Sequence, residues 1–180
     1  TLAFSGTATS AINVGTGYVI TPSGLTSSNY TISFVSGTLD INTRAITITA
    51  DAKSKTYGDT DPALTYQITR GSLAFSDAFS GALTRVAGEN VGDYQIQQGT
   101  VALNANYTLT YVPANLTIGL KTINVTAEAK SKTYGDSDPA LTYLFSPALI
   151  GSDAFTGALT RTAGEDVGTY AITQGTLALS

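Results

Sequence analysis

Two carboxylates stand two residues apart in "YGDTDP", Asp59 and Asp61, and the pair recurs as Asp136 and Asp138 in "YGDSDP". Acidic side chains so placed in a turn are the type that supplies oxygen ligands to Ca²⁺, which takes about six to eight of them. No EF-hand or nonapeptide calcium motif surrounds either pair. The competing expectation is a Gly-Asp turn running into Pro62, with the carboxylate capping backbone N–H groups. Calcium is the one cofactor these residues raise, and otherwise none is expected.

Other side chains suggest other chemistry. Glu89 and Asp93 have the types of an acid–base pair for glycoside cleavage, but the matching positions further along are Glu165 and Thr169, so the pair is not kept. The chain has no His and no Cys. That removes the commonest general base, the Ser-His arrangements, thiol nucleophiles, disulfides and thiolate metal sites. Lys53 and Lys55, with Lys130 and Lys132, have the chemistry for an intramolecular amide with Asn or Asp. Lysine is almost never fully buried unless paired, so the plainer expectation is solvated lysines at a strand end. Tyr57 and Tyr134 stand beside a Gly turn, where a ring either presents itself to a sugar or packs the end of a module. The sequons at Asn29, Asn106, Asn115 and Asn124 are common strings in a Thr-rich chain. No enzyme is expected.

Composition narrows the partners. Charged residues are 12% of the 180, about half the usual share, and the net charge is −4. Nucleic-acid and anionic-membrane surfaces need clustered Lys and Arg, so neither is expected. No run of about 18 apolar residues is present, so no membrane-inserting segment is expected, and no signal peptide is visible.

The chain is repetitive. "ITITADAKSKTYGDTDPALTY" (46–66) aligns with "INVTAEAKSKTYGDSDPALTY" (123–143), and Tyr57 maps onto Tyr134, an offset of 77. "DAFSGALTR" (77–85) matches "DAFTGALTR" (153–161). "AGENVGDYQI" (87–96) matches "AGEDVGTYAI" (163–172), with the offset now 76. The residue lost between these blocks marks a surface loop. "NYTISFVSGTLDI" (29–41) matches "NYTLTYVPANLTI" (106–118), again at 77. The expected organisation is the C-terminal part of one repeat (1–42), a complete repeat (43–119), and a third repeat (120–180) that stops before its last strands.

Within one repeat, strand signals dominate. "AITITADA" alternates with Ile46, Ile48 and Ala50 on one face, "ALTYQIT" with Leu64, Tyr66 and Ile68, and "NYTLTYV" with Tyr107, Leu109 and Tyr111. Shorter strands are expected over 81–85, 93–97, 100–103 and 115–118. Residues 72–79, "SLAFSDAF", leave room for about two helical turns capped by Ser72, with Leu73, Phe75, Ala78 and Phe79 facing the sheet. "ENVGDY" and "EDVGTY" suit a tyrosine corner, in which the hydroxyls of Tyr94 and Tyr170 tie back to nearby backbone. Gly58, Gly135, Gly92 and Gly168 are expected to serve the turns. About three residues join one repeat to the next, which predicts a semi-rigid string.

Taken in order, "ITADAKSKTYGDTDPALTY…FSGALTRVAGENVGDYQI…NYTLTYVPANLTI" resembles the MBG-type repeat, marked by a Tyr-Gly-x motif and found in bacterial surface and secreted adhesins, the filamentous-haemagglutinin-like proteins among them. The resemblance covers nearly the whole chain. It implies a mainly β, β-grasp-like module of about 77 residues with at most one short helix. The tyrosine corners favour an immunoglobulin-like Greek-key sandwich instead. It also implies an extracellular, cell-surface location, secreted and outer-membrane-associated. The implied role is a stalk in cell–cell, biofilm-matrix or host attachment, its partners being polysaccharide, mucin glycan or another cell surface. The alternative is that each repeat grips carbohydrate weakly and the array works by avidity.

Overall fold

Runs rich in Thr, Ile, Val and Tyr, interrupted by Gly, Pro and Asn, form sixteen short strands and no α-helix; the computed structural model describes all residues, 1–180. By contacts the chain divides into two units, Thr1–Lys55 with Thr60–Gly119, and Thr56–Asp59 with Leu120–Ser180.

In the first unit, β1 (Ala3–Ser5), β2 (Gly15–Ser23) and β3 (Gly37–Ile41) make an antiparallel sheet in the order β1-β2-β3. Residues 24–36, between β2 and β3, contain no strand and are exposed. The complete repeat follows. Its strands are β4 (Arg44–Ala50), β5 (Lys53–Thr56), β6 (Tyr66–Arg70), β7 (Thr84–Arg85), β8 (Gly92–Gln97), β9 (Tyr107–Val112) and β10 (Ala114–Gly119). They form two sheets, β6-β4-β9 and β5-β10-β8-β7. β4 pairs antiparallel with β6 and parallel with β9, Ile46 opposite Leu109 and Ile48 opposite Tyr111. A parallel neighbour cannot be reached by a tight turn. Strands β5 to β8 lie between the two in the chain.

The alternating apolar face of β4 is buried, with Ile46, Ile48 and Ala50 at 5% exposure or less. Ile46 and Ile48 pack with Val101 and Tyr107, and Ala50 packs with Ile96 and Leu116. Leu83 and Tyr111 touch both groups, so the two sheets share one core. Burying each such aliphatic side chain is worth about 1.5–3 kcal/mol relative to leaving it exposed.

Two local expectations fail. Residues 72–79 form no helix, Phe75 lies at φ 53 with its ring in solvent, Ala78 is exposed and Ser72 caps nothing. Leu73 and Phe79 do reach the core. A two-turn helix is marginal alone, and tertiary partners take its polar groups. Ala74 N–H donates to the Tyr107 hydroxyl (2.8 Å), which donates to Asp77 (2.7 Å), whose other oxygen accepts from Asn104 Nδ2 (2.8 Å). Ile68 is the second case. β6 is the edge of its sheet and its register with β4 shifts between Thr47 and Ile48, which leaves Ile68 42% exposed. Of the shorter strands, 81–85 shrinks to β7, and 100–103 contributes only an isolated bridge from Ala102 to Ser80.

The second unit contains β11 (Asn124–Ala127), β12 (Tyr143–Ser146), β13 (Phe155–Thr156), β14 (Thr160–Arg161), β15 (Ile172–Thr173) and β16 (Ala178–Leu179), paired β11-β12, β13-β16 and β14-β15. Tyr143, Phe145 and Phe155 pack edge to face or tilted at 5.1–6.4 Å between ring centres.

Truncating Leu116, which is fully buried between the sheets, to Ala is expected to cost about 2–5 kcal/mol in urea denaturation. The same truncation at edge-strand Ile68 is expected to cost at most about 1 kcal/mol.

Candidate functional site

Lys55 projects from β5 and Arg85 from the end of β7, and both reach carboxylates on loops. Lys55 Nζ donates to Asp61 Oδ1 (2.7 Å) and Glu89 Oε2 (2.5 Å). Arg85 Nε donates to Asp61 Oδ2 (2.5 Å), and Nη2 to Asp61 Oδ1 (3.1 Å) and to Glu89 Oε1. Its Nη1 donates to the carbonyls of Val86 (3.0 Å) and Gly88 (2.6 Å). A guanidinium has five N–H donors in a fixed fork, and here each has an acceptor. The same plane lies over the Tyr94 ring, 5.4 Å from its centre. The Tyr94 hydroxyl donates to the carbonyl of Asn90 (2.8 Å).

The third repeat builds the same cluster. Lys132 Nζ lies 2.7 Å from both Asp138 and Glu165. Arg161 binds Asp138 (2.7 Å), Glu165 (2.5 Å) and the carbonyls of Thr162 and Gly164, and lies 5.4 Å from the centre of the Tyr170 ring. The Tyr170 hydroxyl donates to the carbonyl of Asp166 (2.8 Å). Gly88 and Gly164 make room for the rings: a Cβ at either would stand 2.0 or 2.2 Å from the tyrosine Cε1, in a backbone with φ near +148°.

Opposite charges in contact favour the ionised forms. Hydrogen bonds from Arg85 and then Lys55 hold the Asp61 carboxyl down at about 2, from an ordinary 3.8. Arg161 and Lys132 do the same to Asp138, also at about 2. Glu89 and Glu165 are lowered, first by their lysines and then by their arginines. Lys55 and Lys132 are raised, first by Asp61 and Asp138 respectively. The cluster is electrically balanced, two cations against two anions, and every charge in it has an opposite partner. It ties a strand, the loop after the Tyr-Gly-Asp turn, and the hairpin leading to the tyrosine corner.

This placement corrects the reading of Lys55 as a solvated strand end, because its side chain is only 4% exposed. It also bears on the amide crosslink. Lys55 Nζ and the Asp61 carboxylate are in contact, with Glu89 beside them. Yet condensation requires a neutral amine and a protonated acid. The surrounding charges favour ammonium and carboxylate, so the geometry favours an ion pair.

The remaining candidates scatter. Asp61 and Asp138 have their oxygens engaged by Lys and Arg, whereas the Asp59 carboxylate accepts from Thr56 N–H (3.3 Å). Asp59 and Asp136 close their turns through their own N–H groups, bonded to Thr56 O and Thr133 O at 3.0 Å. Gly58 and Gly135 take φ of 86° and 90°, a left-handed geometry that the turn requires. No three carboxylates of the chain converge where a metal ion would sit. Asp93 accepts from Thr117 Oγ1 (2.6 Å), apart from Glu89's partners. Tyr57 is half-buried, whereas the Tyr134 ring is 71% exposed. Gly92 has φ 151°, but Gly168 has no positive φ and faces open space, so nothing local requires glycine there.

Sequence reasoning treated these charges separately. A signal was present: in a chain with few charges, Lys55, Asp61, Arg85 and Glu89 all reappear as Lys132, Asp138, Arg161 and Glu165. The first partial repeat carries Ser10 where the others carry Arg.

Both aspartates bind protons less tightly folded than unfolded. Their contribution to stability is complete above the ordinary value of 3.8 and is lost as pH falls through about 2. The Asp61→Asn, Asp138→Asn double variant is expected to melt lower than the parent at neutral pH and to show a flatter loss between about pH 4 and 2 in thermal melts. Intact-mass spectrometry is expected to return the full sequence mass, with no water lost to a Lys–Asp amide.

No curated protein and no solved structure matches the chain. The model for the MBG domain (YGX type) matches three times, over residues 1–40, 46–117 and 123–180. Domains of this kind are non-catalytic structural modules typical of bacterial surface proteins. The "YGD" of the second and third matches is the left-handed turn leading to Asp61 or Asp138. With most of its length matched in this way, the chain belongs to the MBG domain (YGX type) family.

Proposed function

We propose that this chain is a segment of a semi-rigid stalk in a large bacterial extracellular adhesin, divided at 1–42, 43–119 and 120–180. Such a stalk would project a distal adhesive region toward a polysaccharide matrix, a mucin glycan or another cell. The observation that carries this reading is the first join. Two residues, Asn42 and Thr43, separate β3 from β4. Asn106, at the entry to β9, accepts from Arg44 N–H through its carbonyl (2.8 Å). Its side chain accepts from Val14 N–H (2.8 Å) and donates to Asn13 Oδ1 (3.0 Å), in the loop before β2 where the Tyr18 hydroxyl donates to the Asn13 carbonyl (3.1 Å). Thr108 donates to Thr43 across the same join (2.9 Å). A joint with so little slack and so many cross-bonds resists bending, which a spacer needs. The duplicated ion cluster supports the same reading, because it stiffens each module without leaving a reactive group. No helix of the chain is long and apolar enough to cross a membrane.

A weak carbohydrate-binding module is the second reading, in which the Tyr beside the Gly turn, Tyr57 or Tyr134, would present its ring to a sugar. The two separate in one titration of the 180-residue chain against mucin and purified polysaccharide. The stalk reading expects no saturable binding at millimolar site concentration. Binding abolished by Tyr134→Ala would replace it with the avidity reading. For stiffness, Asn106→Ala is expected to loosen the first join, read as a broader distribution of dimensions in small-angle scattering with the complete repeat still folded.

A further inference from the structure

The complete repeat begins and ends in strands that run side by side. β4 pairs parallel with β9 through six aligned residue pairs, from Arg44 opposite Tyr107 to Thr49 opposite Val112. Past Asp51 and Ala52 the first strand continues as β5, and past Pro113 the last continues as β10. β5 and β10 are neighbours in the second sheet. At their far end Lys55 lies beside Gly119, where a Cβ would stand 3.9 Å from the Lys55 carbonyl. The two runs, 44–56 and 107–119, therefore keep the same direction from end to end.

Both ends of this pairing are pinned. At the entry, Arg44 N–H donates to the Asn106 carbonyl (2.8 Å) and Thr108 Oγ1 donates to Thr43 (2.9 Å). At the exit, Lys55 is held by Asp61 (2.7 Å) and Glu89 (2.5 Å), and Leu116 and Ile118 are buried. The chain enters the repeat at the N-terminal end of β4 and leaves at the C-terminal end of β10, which are opposite ends of the paired runs. Tension along the chain therefore drags one run lengthwise past the other. The evenly spaced bonds of a parallel pair are then loaded together. Ends lying on one side would instead open them one at a time.

We propose that the complete repeat is a mechanical clamp, which bears tension along the chain in shear through the pairing of its first and last strands. Forced unfolding is governed by the unfolding rate and not by equilibrium stability. The clamp is thus a property that depends on the direction of load, which thermal or urea denaturation does not report. The Lys55 ion pairs sit where the load leaves the pairing, and so resist its slip. The inference rests on the stalk reading only for the source of the tension. That reading is tested by titration against polysaccharide, whereas the clamp is tested by the direction of pull, so each fails separately.

The chain lacks Cys, so thiol handles can set the direction of pull in single-molecule force spectroscopy of the 180-residue chain. Handles at Asn42→Cys and Leu120→Cys load the pairing in shear. Handles at Asn42→Cys and Ala105→Cys pull on the adjacent N-terminal ends of β4 and β9 and peel them apart. All three positions are exposed, and Lys121→Cys replaces Leu120→Cys should that variant misfold. Unfolding of the repeat is recognised by a gain in length of up to about 3.6 Å for each residue between the handles. In shear the repeat is expected to yield in a single event, at about twice the peeling force or more. Equal forces in the two geometries, a lower force in shear, or stepwise yielding in shear would each overturn the proposal.

Discussion

The complete module depends on the return of its last strands to its first. β9 lies parallel to β4, so no local turn can bring them together, and β5 to β8 are threaded between them. That one pairing covers Ile46 and Ile48, and through Tyr107 it also organises the loop at Ala74 and Asp77. β10 follows within two residues and enters the second sheet, where Leu116 and Ile118 become fully buried. Contacts so distant in sequence make closure entropically costly and cooperative.

Polar order is laid over that apolar frame. Leu83 joins the two hydrophobic groups, and two residues on Arg85 anchors the ion cluster. The cluster links β5, the loop carrying Asp61, and the hairpin carrying Glu89. Arg85 also stacks on the Tyr94 ring, whose hydroxyl fixes the next turn. Exposed ion pairs taken singly contribute little. Here the guanidinium is satisfied at every N–H and sits against a ring, so the arrangement specifies geometry more than it adds energy. Its repetition around Arg161 makes two modules alike despite divergent loops.

Much of the fold was legible in the sequence because strands announce themselves by alternation. The inward faces of β4 and β9 were readable from Ile46, Ile48, Ala50, Tyr107, Leu109 and Tyr111. Ile68 was not, because alternation does not reveal whether a strand lies at an edge or carries a bulge. The stretch from Ser72 to Phe79 has helical spacing, and tertiary partners overrode it. The ion cluster was the largest omission. Its four residues are 34 positions apart at the extremes, and nothing local links Lys55 to Glu89.

What the sequence alone determined is the repeat, its length, the strand faces, the glycine turns and the family, all properties of local pattern and of self-similarity. Only the tertiary structure decided that Lys55 is an internal ion-pair member and that Asp61 is held by two cations. Period and composition describe a residue's neighbours along the chain, whereas charge pairing and burial are set by neighbours across it. The latter exist only once the non-local strands have closed.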